Sequence, residues 1–168
     1  MTRIIVVGDS LAGKSTMFRA VTLGQVPHNV FRSTTVEQFV PVPHAHFVVL
    51  PGHACDTQLR ELADGADAVV VVYHVQAGVR SASKWLLRLA AVVHNLYRVP
   101  LLICCFGGRR ASGSVLQSLL CRYPRAEHVD ICMDRISGIA DSVNRIVYRV
   151  RRECPSPLAA VRQLTGSC

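Results

Sequence analysis

Residues 4–15 read IIVVGDSLAGKS, and the two halves of this segment predict how the fold begins. The apolar residues 4–7 predict a short buried strand. The residues that follow, 8–15, match the pattern GxxxxGK[ST] in full. From Lys14 the apolar spacing is helical as far as Leu23, and Gly24 ends the helix. A strand, a glycine-containing loop and a helix, in that order, form the unit in which this loop binds phosphate.

The residue types of this loop suit an anionic ligand. Glycines allow successive backbone N–H groups to turn toward one phosphate, and the N-terminus of the following helix adds its dipole. Lys14 supplies a positive charge, and the hydroxyl of Ser15 is a ligand for Mg²⁺. The alternatives are a glycine turn without a ligand and an inherited loop that is no longer occupied. The predicted nucleotide-binding residues are Gly8, Asp9, Ser10, Leu11, Ala12, Gly13, Lys14, Ser15 and Thr16.

Strands and helices alternate along the rest of the chain. Two short strands, 35–43 and 46–50, flank a turn-prone Pro-His-Ala and predict an antiparallel hairpin. Apolar runs at 68–75 and 99–106, each followed by a helical pattern, predict parallel strands that are covered on both faces. The remaining predictions are a strand at 128–132 and helices at 56–64, 83–96, 114–123, 137–152 and 156–164.

These elements predict an α/β fold. We expect a P-loop NTPase domain over residues 1–152, with a doubly wound, mostly parallel sheet and one antiparallel edge hairpin. Residues 153–168 are expected to form a C-terminal extension with a short helix.

The composition argues against several other classes of protein. Of the 168 residues, 50% are hydrophobic and 18% are charged, which fits one globular domain. The longest apolar runs fall short of the roughly 20 residues that span a bilayer, and the first run closes too soon for a secretory signal. The 7 cysteines form no CxxC pair, so we expect neither a zinc site nor a disulfide framework. A cytoplasmic protein without a transmembrane segment is predicted.

The net charge of +8 leaves the partner open. A solvated basic surface, an acidic protein or lipid partner and a nucleic acid are all compatible with it. Because the arginines are scattered apart from 109–110 and a set within 145–152, we expect no nucleic acid partner.

The order of the motifs resembles that of the small GTPases of the Ras superfamily, over residues 4–152. After the phosphate-binding motif and the hairpin, residues 48–53 (VVLPGH) resemble the DxPGH form of the third GTPase motif. Residues 66–75, with Trp85 ten residues on, resemble a Rab strand followed by a helix that carries a tryptophan. Residues 99–104 resemble the strand that leads to the guanine-reading motif.

The resemblance implies roles for three further residues. Thr34, 19 residues after Ser15, takes the place of the switch threonine, which with Ser15 binds Mg²⁺ and closes over the terminal phosphate; Thr35 is the neighbouring candidate. Gly52 would donate its backbone N–H to the γ-phosphate. His53 would orient the attacking water as the catalytic residue. The alternatives are an ordinary loop threonine and a surface histidine.

The sequence departs from the family pattern in three places. Val49 stands where the family carries the Asp of the Mg²⁺ shell, so Mg²⁺ should bind more weakly. After Cys105 the chain reads FGGRR, without the Asn, Lys and Asp that read guanine. Residues 132–134 replace the SAK motif with CMD, where only the backbone could contribute. We therefore expect weak guanine selectivity and slow GTP hydrolysis at most.

The resemblance implies an atypical small GTPase that binds GTP or GDP with Mg²⁺. Its expected role is a regulatory switch or a subunit in vesicular or ciliary trafficking, with a protein partner in a larger complex. One alternative is a pseudo-GTPase scaffold that binds its partner without nucleotide turnover, and another is a P-loop kinase or ATPase. Because the chain ends in TGSC rather than a CaaX box, only a partner is expected to bring it from the cytoplasm to a cilium or endomembrane.

Overall fold

The computed structural model describes residues 2–17, 38–42, 45–94, 96–107, 113–131, 141, 144–145, 147–150 and 152. The predicted helix at 156–164, the candidate residues Thr34 and Thr35, and residues 132–134 lie outside these ranges. The strands are β1 (Thr2–Val7), β2 (Gln38–Val42), β3 (Ala45–Val49), β4 (Ala68–His74), β5 (Leu101–Phe106) and β6 (Ala126–Ile131). The helices are α1 (described over 14–17), α2 (Asp56–Ala63), α3 (Val79–Val92), α4 (Ser114–Arg122) and α5 (described residues within 141–152), with a 3₁₀ turn at Leu96–Arg98.

The strands form a six-stranded sheet in the order β2-β3-β1-β4-β5-β6. Five of them, from β3 to β6 in this order, are parallel. Among the described strands, β2 lies at the edge and pairs with β3 in the antiparallel sense. The predicted α/β class with a mostly parallel sheet is confirmed. Because β1 lies between β3 and β4, the chain changes direction across the sheet at β1, and in such sheets ligands bind at this switch point.

Apolar side chains cover both faces of the sheet. Alternate residues of each strand point to opposite faces, so a strand with two covered faces reads as an unbroken apolar run. In β1, Ile4 and Val6 belong to one buried cluster, which includes Met17 of α1 and Val150 of α5. Ile5 and Val7 of the same strand belong to a second buried cluster on the other face. That second cluster includes side chains of α2, α3 and α4, namely Leu59, Trp85, Leu86, Leu89 and Leu119.

Several element boundaries differ from the sequence prediction, and backbone chemistry explains two of them. α3 begins at Val79, one turn before the predicted Ser83, because Gly78 adopts a φ of 71° and turns the chain sharply after β4. β5 begins at Leu101 rather than Val99, since Pro100 has no N–H to donate to a neighbouring strand. Within the described part of the chain, no helix combines the length and the apolar character needed to cross a membrane.

Val49 provides a test of the first buried cluster, which contains Ile4 and Val6. Its side chain is 0% exposed and lies in the same apolar cluster as Ala12 and Met17. Val49→Asp would place a carboxylate there, and burial of a charge among apolar groups is costly. We expect this variant to lower the free energy of unfolding by about 3 kcal/mol or more, measured by urea denaturation. Val49→Ala, which only leaves a cavity, should cost less, and an equal loss in both variants would contradict this interpretation.

Candidate functional site

The candidate site is the loop of residues 8–15, at the carboxyl end of β1, which the sequence predicts to bind phosphate and which is called the phosphate loop below. Gly8 is buried against the backbone of Val72 in β4, so the loop begins beside the neighbouring strand and not in solvent. The N–H of Ala12 donates to the carbonyl of Asp9 at 3.2 Å and closes a turn. The N–H of Met17 donates to the carbonyl of Gly13 at 2.9 Å, which marks the first turn of α1. The loop therefore ends at a helix N-terminus, the feature that attracts anions.

Two glycines allow close approaches that a side chain would prevent. A Cβ at Gly13, which has a φ of +95°, would lie 2.2 Å from the ring of Phe106 at the end of β5. A Cβ at Gly52 would lie 2.1 Å from the backbone nitrogen of Ser10. Gly52 belongs to the Pro-Gly-His sequence of residues 51–53, called the PGH segment below. The structure thus brings this segment directly against the phosphate loop. This proximity is one that the spacing in the sequence alone does not reveal.

Lys14 is the buried cation of the site, with 3% of its surface exposed. Its Nζ donates to the carbonyl of Gly8 at 2.6 Å and to the carbonyl of Asp9 at 2.7 Å. Burial lowers the pKa of Lys14 to about 8, although the charge of Asp9 acts in the opposite direction. The ammonium group is therefore enclosed by the loop, next to the helix N-terminus.

Asp9 connects the loop to α3. Its Oδ2 accepts a hydrogen bond from the hydroxyl of Ser81 at 2.6 Å, and its Oδ1 accepts one from the indole Nε1 of Trp85 at 2.9 Å. Burial raises the pKa of the carboxyl group, but these hydrogen bonds and the charges of Lys84 and Lys14 outweigh it, so that the pKa lies below its ordinary value. Sequence reasoning did not find these partners, although the spacing of four residues between Ser81 and Trp85 places them on one helix face.

The other predicted site residues lie in and around the loop. Ser10 and Leu11 are exposed, and Leu11 has a φ of 64°, which is unusual for a leucine. Ser15 and Thr16 are half-buried in the first turn of α1. His53 is exposed in a turn that the N–H of Ala54 closes by donating to the carbonyl of Pro51 at 3.1 Å. Thr34 lies outside the described residues.

The end of β5 lies where the guanine-reading motif of the resembled family would follow. Phe106 is buried, and its ring packs on Gly13 of the phosphate loop. Gly107 has a φ of +95°, and a Cβ there would lie 2.9 Å from Nε2 of His74. Phe106 thus supports the loop by apolar packing, and its side chain has no polar group for a base. Within the described ranges, which leave out residues 108–112, no group of three or more His, Cys, Asp or Glu could bind a metal ion.

A scan against protein-family models and a search of curated proteins both returned no match for this chain. The resemblance to small GTPases therefore depends on the sequence motifs quoted above.

Gly13→Ala tests the packing of the loop against Phe106. The matched control is Gly65→Ala, because Gly65 also has a positive φ of +72° but has no atom within 4 Å of an added Cβ. The control should lower the free energy of unfolding by about 1 kcal/mol, the cost of the backbone conformation. Gly13→Ala should lower it by about 3 kcal/mol or more, because it adds a steric clash. Thermal denaturation of Gly13→Ala, Phe106→Ala and the double variant measures the clash, because alanine removes the ring atoms that lie against the added Cβ, and strictly additive losses would contradict it.

The depressed pKa of Lys14 predicts how stability changes with pH. The pKa is 10.5 ordinarily and about 8 in the folded protein, so between these values the unfolded chain binds more protons. Stability from this group must then rise as the pH rises. Between pH 7 and pH 9 the wild-type protein should gain on the order of 1 kcal/mol relative to Lys14→Met, measured by urea denaturation. A difference that is constant with pH would show that the pKa of Lys14 is not depressed.

Proposed function

We propose that the protein is an atypical small-GTPase-like nucleotide-binding protein with a P-loop NTPase fold. In this proposal it binds GTP or GDP with Mg²⁺ and acts as a regulatory switch or subunit in vesicular or ciliary trafficking. The observation that carries the proposal is the buried ammonium group of Lys14, enclosed by the loop between β1 and α1 at the switch point of the sheet. A phosphate group is the ligand that this arrangement fits best.

The electrostatics of Lys14 support a phosphate ligand. Burial of a cation is costly unless an anion pairs with it, and the two hydrogen-bond acceptors of its Nζ are neutral carbonyls. The carboxylate of Asp9, the nearest acid in the loop, accepts hydrogen bonds from α3 through both of its oxygens. A phosphate oxygen would supply the missing negative charge, and the N–H groups at the start of α1 would contribute further hydrogen bonds.

The place of Gly52 supports a sensor for the terminal phosphate. Its backbone lies against Ser10 of the phosphate loop, and the exposed His53 follows directly in the same turn. In the proposed switch, the N–H of Gly52 binds the γ-phosphate and His53 orients the attacking water. Loss of the γ-phosphate would then release the segment that begins at Gly52, and this segment would carry the signal to a protein partner.

The metal and base contacts of the proposed site are reduced. Mg²⁺ would neutralise charge on the phosphates, and Ser15 and Thr34 are the residues proposed to bind it. The buried Val49 offers no carboxylate, which supports weak Mg²⁺ binding and slow hydrolysis. Of the described residues at the end of β5, Phe106 and Gly107 offer only backbone groups as hydrogen-bond partners for a base, which supports weak discrimination between guanine and adenine.

The complete burial of Val49 favours a second candidate function. A pseudo-GTPase scaffold needs the packed sheet but no metal shell, and an apolar residue at this position strengthens the core instead. In this case the protein binds a partner as a subunit of a larger complex, without nucleotide turnover. The two candidates differ in whether the phosphate loop contains a ligand.

The nucleotide content of the native protein tests the proposal. We expect protein purified with Mg²⁺ to release GTP or GDP on denaturation, identified by chromatography, or to bind one of them by calorimetry if it is purified empty. Lys14→Met should abolish this binding. Arg122→Met is the matched control, because it also replaces a cation with methionine, but at an exposed position in the last turn of α4.

The other outcomes separate the alternatives. Release or binding of adenine nucleotide alone would contradict a GTPase and favour a kinase or ATPase. A folded protein that neither contains nor binds any nucleotide would contradict the switch and favour the scaffold.

A further inference from the structure

We propose that Asp9 is a positioning residue that couples the phosphate loop to α3, so that ligand binding at the loop changes the environment of Trp85. This inference rests on the proposed function, because it concerns regulation of the same loop. It goes beyond that function by naming the helix that responds and by giving Asp9 a role other than contact with the ligand.

The side chain of Asp9 is fixed by α3 rather than directed toward a ligand. Both donors are buried: Trp85 is 1% exposed and Ser81 is 8% exposed. They lie one helical turn apart, and each donates to a different oxygen of the same carboxylate. Ala82, Leu86 and Leu89 anchor α3, because they pack in the second buried cluster. The carboxylate is therefore bound to a helix whose position the core determines.

The backbone of Asp9 belongs to the ligand-binding part of the loop. Its carbonyl accepts hydrogen bonds from Nζ of Lys14 at 2.7 Å and from the N–H of Ala12 at 3.2 Å. If a phosphate binds, Lys14 shares its protons with the phosphate oxygens, and the carbonyl of Asp9 loses part of its hydrogen bonding. The new negative charge also repels the carboxylate. Both effects act on the residue that accepts the hydrogen bond of Trp85.

The contacts continue from Trp85 to the PGH segment. The guanidinium of Arg88 lies over the indole ring, 4.6 Å from its centroid. The same guanidinium donates to the carbonyl of Ala54 at 2.5 Å and to the carboxylate of Asp56 at 2.8 Å and 3.1 Å. Ala54 lies two residues after Gly52, so the phosphate loop, through Asp9, and the segment that follows the proposed phosphate sensor both contact one face of α3. Trp85 is the side chain common to both connections.

The fluorescence of Trp85 gives a direct test, because it is the only tryptophan of the chain. The full chain is titrated with GDP, GTP and tripolyphosphate in the presence of Mg²⁺, while calorimetry measures binding independently. We expect the tryptophan emission to change and saturate at the concentrations at which calorimetry shows binding. The signal then reports occupancy of the loop from Trp85, which lies on α3 and outside the loop.

Substitutions around the carboxylate separate coupling from simple stabilisation. Asp9→Asn preserves the shape but leaves one of the two donors without an acceptor; we expect roughly tenfold weaker binding and a smaller emission change. Ser81→Ala should act in the same direction, and adding it to Asp9→Asn should cause little further loss. Ser83→Ala is the matched control: it also removes a hydroxyl from α3, but two residues from Ser81 and therefore on a different side of the helix, so its binding and emission should equal those of the wild type.

Each outcome bears on the inference. Binding by calorimetry without any change in emission would overturn the coupling while leaving the proposed function intact. If the Asp9 and Ser81 variants are less stable but keep the affinity and the change in emission of the wild type, the contacts have only a structural role. That result would also overturn the inference. If no nucleotide or tripolyphosphate binds, the proposed function and the inference both fail. If Asp9→Asn does not fold, the comparison of Ser81→Ala with Ser83→Ala decides.

Discussion

The burial of β1 on both faces, between β3 and β4, is the constraint on which the rest of the structure depends. A central strand of this kind must release the chain at its carboxyl end, where the neighbouring parallel strands also end. Gly8 allows the exit because it tolerates the close approach of the β4 backbone. The strands β3, β1, β4 and β5 are parallel and lie next to one another in this order, so their carboxyl ends share one edge of the sheet. The loop, the PGH segment and the end of β5 therefore converge there.

Lys14 lowers the stability of the fold but would favour the proposed binding of phosphate. Burial lowers the pKa of Lys14, so at neutral pH the fold is less stable with this charge than it would be without it. Binding sites often contain groups that lower the stability of the fold, and a bound ligand restores that stability. A bound phosphate would do so through its negative charge. The carboxylate of Asp9 offsets the cost of burying Lys14 only in part. Both of its oxygens accept hydrogen bonds from α3 rather than from Lys14.

The sequence was most informative where local pattern and fold agree. The apolar runs of β4 and β5 and the loop motif predicted the sheet and placed the site at its carboxyl edge, because both signals are local in the chain. The partners of Asp9 could not be predicted in this way. Ser81 and Trp85 lie more than 70 residues away, and nothing in their own segment indicates a distant carboxylate. The packing of Phe106 on Gly13 is hidden for the same reason, since it arises from the order of the strands.

The edge strand β2 has a consequence for how the folded protein behaves in a crowded solution. An edge strand exposes backbone groups that can pair with a strand of another molecule and begin aggregation. β2 contains Pro41, opposite His46 of β3, and proline is accepted on an edge strand where its nitrogen faces away from the neighbour. The outer side of β2 therefore lacks one hydrogen-bond donor. An incoming strand would find an interrupted ladder, so Pro41 protects this sheet against growth by strand addition.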